Sequence, residues 1–456
     1  GIMHTHEQRF PNGMKPIADY VHSLGMKAGL YTDAGNSTCG SMWDNDTAGI
    51  GAGIYGHEPQ DAQLYFGDWG FDFIKIDYCG GDALGLNEKE RYTSIRNSID
   101  KVNKDVSINI CRWAFPGTWA KDAATSWRIS GDINAHWGSL RYVVGKNLYL
   151  SAYAGNGHYN DMDMMVIGFR NDSKVGGQGL TPTEEEAHFG LWCIMSSPLL
   201  IGCNLENMPD SSLELLTNKE LIALNQDPLG LQAYVAQHEN EGYVLVKDIE
   251  QKRGNVRAVA LYNPSDTICS FSVPFSSLEF GGNVKVRDLV KHSDLGNFSG
   301  TFEQTLPAHS AMFLRIEGET RLEPTLYEAE WAYLPLFNDL GKNPKGIIYA
   351  HDKEASGKMK VGFLGGQPEN YAEWREVYSE NGGRYDMTIH YLYGKGRQIE
   401  LDVNGIIAKI DSLGEDNGHN QITVPVELKA GYNTIRMGNS YNWAPDIDCF
   451  TLKKAL

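Results

Sequence analysis

From Phe10 to about Gly230 the chain alternates segments of helical period with short apolar runs, and each run ends in a polar loop. "NGMKPIADYVHSLG" spaces its apolar residues along one helix face and stops at Gly25, after which "MKAGLYTDAG" reads as a strand ending in a loop. The unit repeats as "HEPQDAQLYFGDWG" then "FDFIKIDYCGG", and as "KERYTSIRNSIDKV" then "VSINICRW". "SWRISGDI", "GHYNDMDMMVIG", the amphipathic "TPTEEEAHFGLWCIMS" and "SPLLIG" complete the series. Repeated helix-then-strand units with short connections predict a parallel sheet, and polar residues gathered behind each strand place the working face at the strands' C-terminal ends. Strands are expected near residues 27–31, 73–77, 107–111, 126–130, 159–165 and 197–202. Six strands are two short of an α/β (β/α)8 TIM barrel, so roughly sixty to eighty residues carrying the first two βα units are expected to lie outside this chain.

After "DPLG" at 227–230 the pattern changes to period-two strands and turns, among them "GYVLVKDIE", "NVRAVALYNPS" and "SAMFLRIEG". The reading is a barrel over 1–230, an antiparallel β-sandwich over 231–318, a linker around "RIEGETRLEPT", and a second β-sandwich over 325–456. A net charge of -18 in 456 residues makes nucleic acid and anionic membranes poor partners, since both would repel this surface. No apolar run approaches eighteen residues, so no membrane span is expected. The seven cysteines show no CxxC and no zinc-like spacing.

The charged residues fall where chemistry would need them. In a strand, residues 73, 75 and 77 share a face, so Lys75 and Asp77 point together while Ile74 and Ile76 pack on the other side. A neighbouring ammonium keeps a carboxylate ionised, and an ionised carboxylate in a cleft can attack an anomeric carbon. A buried structural ion pair is the plainer alternative. "SWRISGDI" supplies Arg128 and, in a Gly-Asp loop, Asp132, a second acid that could donate a proton. Two carboxylates across one mouth are the minimum apparatus of glycoside hydrolysis. "YNDMDMM" adds Asp161 and Asp163, readable as a metal site, as acceptors of substrate hydroxyls, or as loop carboxylates. A metal-dependent hydrolase drawing on His4, His6, Lys75, His136, His158 and Asp161 is a further reading, weakened because no strand precedes His4 and His6.

"RFPNGMKPIADYVHSLGMKAGLYTDAG", "GHEPQDAQLYFGDWGFDFIKIDYC", "SWRISGDI", "GHYNDMDMMVIG", "SPLLIGCNLENM" and "LTNKELIALNQDPLG" together resemble glycoside hydrolase family 27, the α-galactosidase and α-N-acetylgalactosaminidase family. The resemblance implies a retaining double displacement with Asp77 as nucleophile and Asp132 as acid/base, without a catalytic cofactor. It places Tyr31, Asp33, Lys75, Arg128 and Asp163 at positions lining the family's sugar pocket. It further implies a disulfide between Cys39 and Cys79, hence an oxidising, secreted or periplasmic setting. Arg112 departs from the pattern, standing where α-galactosidases carry a glutamate beside the sugar's 2-position. The family's opening Gly-Trp-Asn motif and its Asp-Asp pair are also missing from this chain, which leaves a decayed, non-catalytic carbohydrate-binding barrel as the reading from another class. α-N-Acetylgalactosaminidase, β-L-arabinopyranosidase and isomaltodextranase specificities share the same mechanism.

"YEAEWA", "VGFLGG", "GRYDMTIHYLYG", "LDVNG", "LKAGYNTIRM" and "DIDCFTL" resemble carbohydrate-binding modules of families 6 and 35. That resemblance implies a structural calcium held by Glu328, Glu330 and Asp448, hard oxygens suited to the ion. Trp374, Tyr393 and Trp443 are candidates to stack on sugar. The expected partner is an oligosaccharide or polysaccharide substrate, and a homo-oligomer is compatible with the sequence.

Overall fold

The computed structural model describes residues 2–169, 178–340, 346–411, 414 and 418–455. Packing divides the chain into two compact units, and the division falls inside the region read as the barrel. One unit comprises residues 1–131, 157–161 and 338–340; the other comprises 132–156, 162–337 and 341–456.

The first unit is built on five parallel strands in sequential order: β1 (Gly29–Asp33), β2 (Phe73–Asp77), β3 (Ser107–Ile110), β4 (Ser126–Arg128) and β5 (Tyr159–Asp161). Helices precede them as the sequence pattern requires. Lys15–Ser23 carries Pro16 in its first turn and Glu88–Asp100 is capped by the Asn87 side chain, which accepts the Glu90 amide. Ile74 and Ile76 are fully buried, as are Ile95 and Ile99 of the helix that follows. The register aligns Tyr31 with Lys75 and Asp33 with Asp77, then Lys75 with Asn109 and Arg128 with Asp161. This register gathers strand-end polar side chains into neighbouring rows.

β1 starts two residues later than expected: the helix Lys15–Ser23 is followed by Gly25 at a φ of +75°, and Ala28 is pinned by its amide to the Asp72 carboxylate at 2.9 Å. β5 stops at Asp161 rather than running to 165. Asp163 has a φ of +77°, outside the extended region, so the strand ends before it.

In the second unit, Met165 pairs in parallel with Ile201 through an isolated bridge. The helix Pro182–Ile194 begins with a capping box between Thr181 and Glu184. A six-stranded sheet runs in the order Ser293–Ser299, Phe280–Asp288, Ser310–Arg321, Val256–Asn263, Gly242–Asp248, Tyr234–Glu239. Cys269–Pro274 and Thr301–Leu306 form a second, two-stranded layer. Phe271, Phe275, Phe280 and Phe302 pack between them with Val259, Leu261 and Ile316. Most of the segment expected as a linker is strand, since Ser310–Arg321 stays paired as far as Phe280 with Arg321.

The C-terminal segment pairs a sheet of Ile348–His351, Met359–Gly362, Asp446–Lys454, Gly383–Leu392 and His419–Leu428 with a four-stranded sheet of Tyr371–Ser379, Gly431–Gly438, Gln398–Val403 and Ile406–Asp411. Trp374 lies in the core between them, 3% exposed, with its indole N–H donated to the Glu328 carbonyl at 2.8 Å. It therefore packs the module and is no stacking platform. Trp443, 45% exposed, does present its ring, with Phe363 edge-on beside it. Among the described residues no helix is long and apolar enough to cross a membrane.

Candidate active site

At the C-terminal ends of β1 and β2, Asp77 is 6% exposed and its two oxygens have different surroundings. Oδ2 accepts the Tyr31 hydroxyl at 2.6 Å. Oδ1 accepts no hydrogen bond from protein and has the Lys75 ammonium at 4.0 Å. Tyr31 and Lys75 are partly open to solvent while their polar ends meet at the carboxylate. Burial, then the hydrogen bond to Asp77, hold the Tyr31 phenol well above its ordinary pKa, so it remains a donor over the working pH range.

Asp33 is fully buried, and its oxygens accept the amides of Cys39 and Cys79 at 3.1 Å each. These two cysteines form the disulfide, with Cα atoms 5.2 Å apart. Burial, then the charge of Asp77, raise the Asp33 carboxyl to about 6. Asp33, Cys39 and Cys79 lie close enough together to suggest metal ligands, but the disulfide takes both sulfurs.

Arg128 is buried at the end of β4, donating to the Ser130 carbonyl at 3.2 Å and approaching the Cys111 sulfur at 3.8 Å. Cys111 joins the site without having been a candidate from the residue pattern. It follows β3 and is fully buried between Arg128 and Asp77. Burial foremost, with the charge of Asp77 adding to it, keeps this thiol protonated. Its place at the end of the expected 107–111 strand is the signal that could have marked it. Asp161, at the end of β5, accepts from Asn109 at 2.8 Å, so the "YNDMDMM" acids split between a buried strand end and a loop.

Arg112 folds back over the Tyr78 ring, makes a two-oxygen contact with Asp82 at 2.9 and 3.1 Å, and reaches Glu88 at 3.3 Å. Its guanidinium thus ties the loop after β2 to the start of the Glu88–Asp100 helix.

In the second unit, Asp132 lies exposed in its Gly-Asp loop. Asp163 is 9% exposed and accepts the Ile133 amide at 2.9 Å and the Met164 amide at 2.8 Å. Far along the chain, Glu328, Glu330 and Asp448 are all buried. Both oxygens of Glu330 and Oε2 of Glu328 lack a protein donor, while Ser356 serves Glu328 at 2.5 Å and Asp448 at 2.9 Å. A side chain at Gly357 would meet Glu330 at 2.3 Å, so glycine keeps the cradle open. Buried carboxylates short of donors fit a hard cation.

Comparison with known proteins agrees with this geometry. Residues 1–227 match the family described as Alpha galactosidase A, and residues 242–316 match the Alpha galactosidase C-terminal beta sandwich domain. Alpha-galactosidase 3 of Arabidopsis thaliana is 37% identical over 314 residues, covering 68% of this chain and 67% of its own. The chain belongs to the α-galactosidase family, glycoside hydrolase family 27. Alpha-galactosidase A of Cellvibrio japonicus is 34% identical, covering 69% of this chain and 78% of its own. Among solved structures, α-galactosidase I of Mortierella vinacea superposes with a TM-score of 0.60 at 26% identity, covering 70% of this chain and 83% of its own. A family 27 β-L-arabinopyranosidase from Geobacillus stearothermophilus gives 0.61 at 25%, covering 70% and 81%. Family membership makes this fold a TIM barrel followed by a C-terminal β-sandwich, and the parallel and antiparallel sheets agree.

Proposed function

We propose that this chain is a retaining, exo-acting α-galactosidase with Asp77 as nucleophile and Asp132 as acid/base. The observation that carries the reading is the asymmetry of Asp77: one oxygen is fixed by Tyr31, and the other faces Lys75 with no protein donor. Oδ1 forms a bond to the anomeric carbon as the glycosidic C–O bond breaks, and the bonding pair leaves with the aglycone oxygen. That oxygen takes the Asp132 proton. Water then attacks the glycosyl-Asp77 ester, giving its proton to Asp132, and the Asp77–carbon bond breaks with its electrons returning to the carboxylate. Lys75 and Arg128 supply positive charge at the strand ends, and Asp33 sets the rim by holding two loop amides. Arg112 is the remaining candidate for shaping the sugar pocket.

Hydrolysis of nitrophenyl α-galactoside with release of α-galactose, seen by proton NMR, tests the reading. Release of the β-anomer would refute the double displacement, and full activity of Asp77→Asn would refute the nucleophile. The Geobacillus neighbour supports a second specificity, for β-L-arabinopyranosides, which lack the 6-hydroxymethyl group. The ratio of kcat/KM on the two nitrophenyl glycosides decides between them.

The C-terminal module is read as a carbohydrate-binding accessory, with exposed Trp443 beside Phe363 as its stacking surface and with calcium held by Glu328, Glu330 and Asp448 as a structural ion. The Cys39–Cys79 disulfide favours a secreted or periplasmic setting.

A further inference from the structure

We propose that Asp163 is a positioning residue for the acid/base, fixing the Asp132 loop through the Ile133 amide rather than serving chiefly as a sugar-hydroxyl acceptor. The inference rests on the assignment of Asp132 as acid/base.

The segment carrying Asp163 is immobilised along its length. The Met162 amide is held by the Ser197 hydroxyl at 2.9 Å, and the Asp163 carbonyl accepts the Trp192 indole N–H at 2.9 Å. The Met165 amide donates to the Leu200 carbonyl at 2.7 Å, and the Val166 amide donates to Nε2 of buried His188 at 3.0 Å. Within this frame Asp163 alone takes a φ of +77°, a conformation costly for a residue with a side chain. From this backbone the carboxylate reaches the acid/base loop: Oδ2 accepts the amide of Ile133, the residue directly after Asp132, at 2.9 Å. Oδ1 is engaged by its own neighbour Met164 at 2.8 Å.

The receiving loop is pinned a second time. The Asn134 amide donates to Ser139 Oγ at 2.9 Å, and Ser139 lies on the helix Trp137–Asn147. Two consecutive amides after Asp132 are therefore fixed, one by a charged acceptor and one by a neutral acceptor. A proton donor that must meet the leaving oxygen and later a water depends on such fixation, and a displacement of about 1 Å costs on the order of 10²-fold in rate.

Asp163→Asn separates the two roles. Asn keeps one acceptor oxygen but turns an NH2 toward one of the two amides, so it cannot hold both. The readouts are kcat/KM on 2,4-dinitrophenyl α-galactoside, which leaves without a proton, kcat/KM on methyl α-galactoside, which needs one, and the inhibition constant of free galactose. The expected result is a loss on the order of 10²-fold on the methyl glycoside. Dinitrophenyl hydrolysis and the galactose constant should stay within about threefold, and azide should accelerate turnover of the dinitrophenyl substrate. Equal losses on both substrates with weakened galactose inhibition would overturn the proposal and assign Asp163 to the sugar; no loss on either would overturn it too.

Asp132→Asn is the reference variant. If it lacks the leaving-group dependence, the acid/base reading falls and the positioning role with it; if it shows the dependence and Asp163→Asn does not, only the positioning role falls. Should Asp163→Asn fail to fold, Ser139→Ala tests the same loop by its other pin, with a smaller loss confined to the methyl glycoside expected and a uniform loss or no loss refuting the proposal.

Discussion

Replacing Tyr31 by Phe removes the 2.6 Å hydrogen bond to Asp77 Oδ2 while keeping the ring. A hydrogen bond to a charged acceptor contributes about 1.5–3 kcal/mol. With Asp77 as the proposed nucleophile, the bond matters unequally in the two half-reactions. In the first, Asp77 loses charge as the ester forms, so a donor that favours the ionised form gives no help to that step. In the second, Asp77 departs as a carboxylate, and the donor stabilises the charge that develops. With about half of that charge formed in the transition state, the loss is about 0.75–1.5 kcal/mol, or about 4- to 13-fold in the rate of deglycosylation. Tyr31→Phe should therefore lower kcat on dinitrophenyl α-galactoside by that factor, leave kcat/KM undiminished or raise it by up to a similar factor, and produce a pre-steady-state burst with glycosylated enzyme visible by intact mass. A fall in kcat/KM equal to that in kcat, without a burst, would refute the argument by showing that Tyr31 acts in the first step or in binding.

Three further outcomes follow from the geometry. Burial raises Glu328 to about 7, Asp448 to about 6 and Glu330 as well. All three are raised above their unfolded values, so the stability they contribute is present below about pH 4 and lost as pH rises toward 7. In chelator the melting temperature of the C-terminal module should fall between about pH 5 and pH 7.5, and millimolar calcium should raise it more at the higher pH, with a calcium response larger at the lower pH contradicting the site. The Cys39–Cys79 link spans a sequence separation of 40, for which chain entropy gives about 4 kcal/mol, so the double Ala variant should unfold at markedly lower denaturant, and an unchanged midpoint would refute the estimate. Arg112→Ala leaves Asp82 and Glu88 without their guanidinium and should cost about 2 kcal/mol in thermal unfolding, whereas an unchanged melt with an altered KM would assign Arg112 to the sugar instead.

Much of the sheet could be read from sequence because each strand is a short apolar run with a glycine or polar stop, and Phe73–Asp77 falls where the alternation in "FDFIKID" puts it. Lys75 and Asp77 follow from the two-residue period alone. What the period cannot give is register between strands. Tyr31 meets Asp77 because β1 and β2 align Tyr31 with Lys75, a relation across 46 residues that leaves no mark in either segment. Asp33 entered through the family resemblance alone, and nothing in its segment marked it as an acceptor of two loop amides. Arg112 was legible as a departure, yet its partners Asp82 and Glu88 come from a different loop and helix. Trp374 reads like any aromatic in a β-rich module, and only the facing sheet determines that it is buried. The early end of β5 turns on one left-handed residue, Asp163, which neither propensity nor pattern singles out.

Because Asp33 grips the amides at both ends of the Cys39–Cys79 link, the two loops share an ionic staple beneath their covalent one. Reducing conditions would then leave the folded rim nearly in place and chiefly loosen the unfolded ensemble. Enzyme made in a thiol-rich cytosol should turn over substrate normally when cool and fail early on heating, so the cross-link works as heat insurance and the catalytic shape comes from a carboxylate.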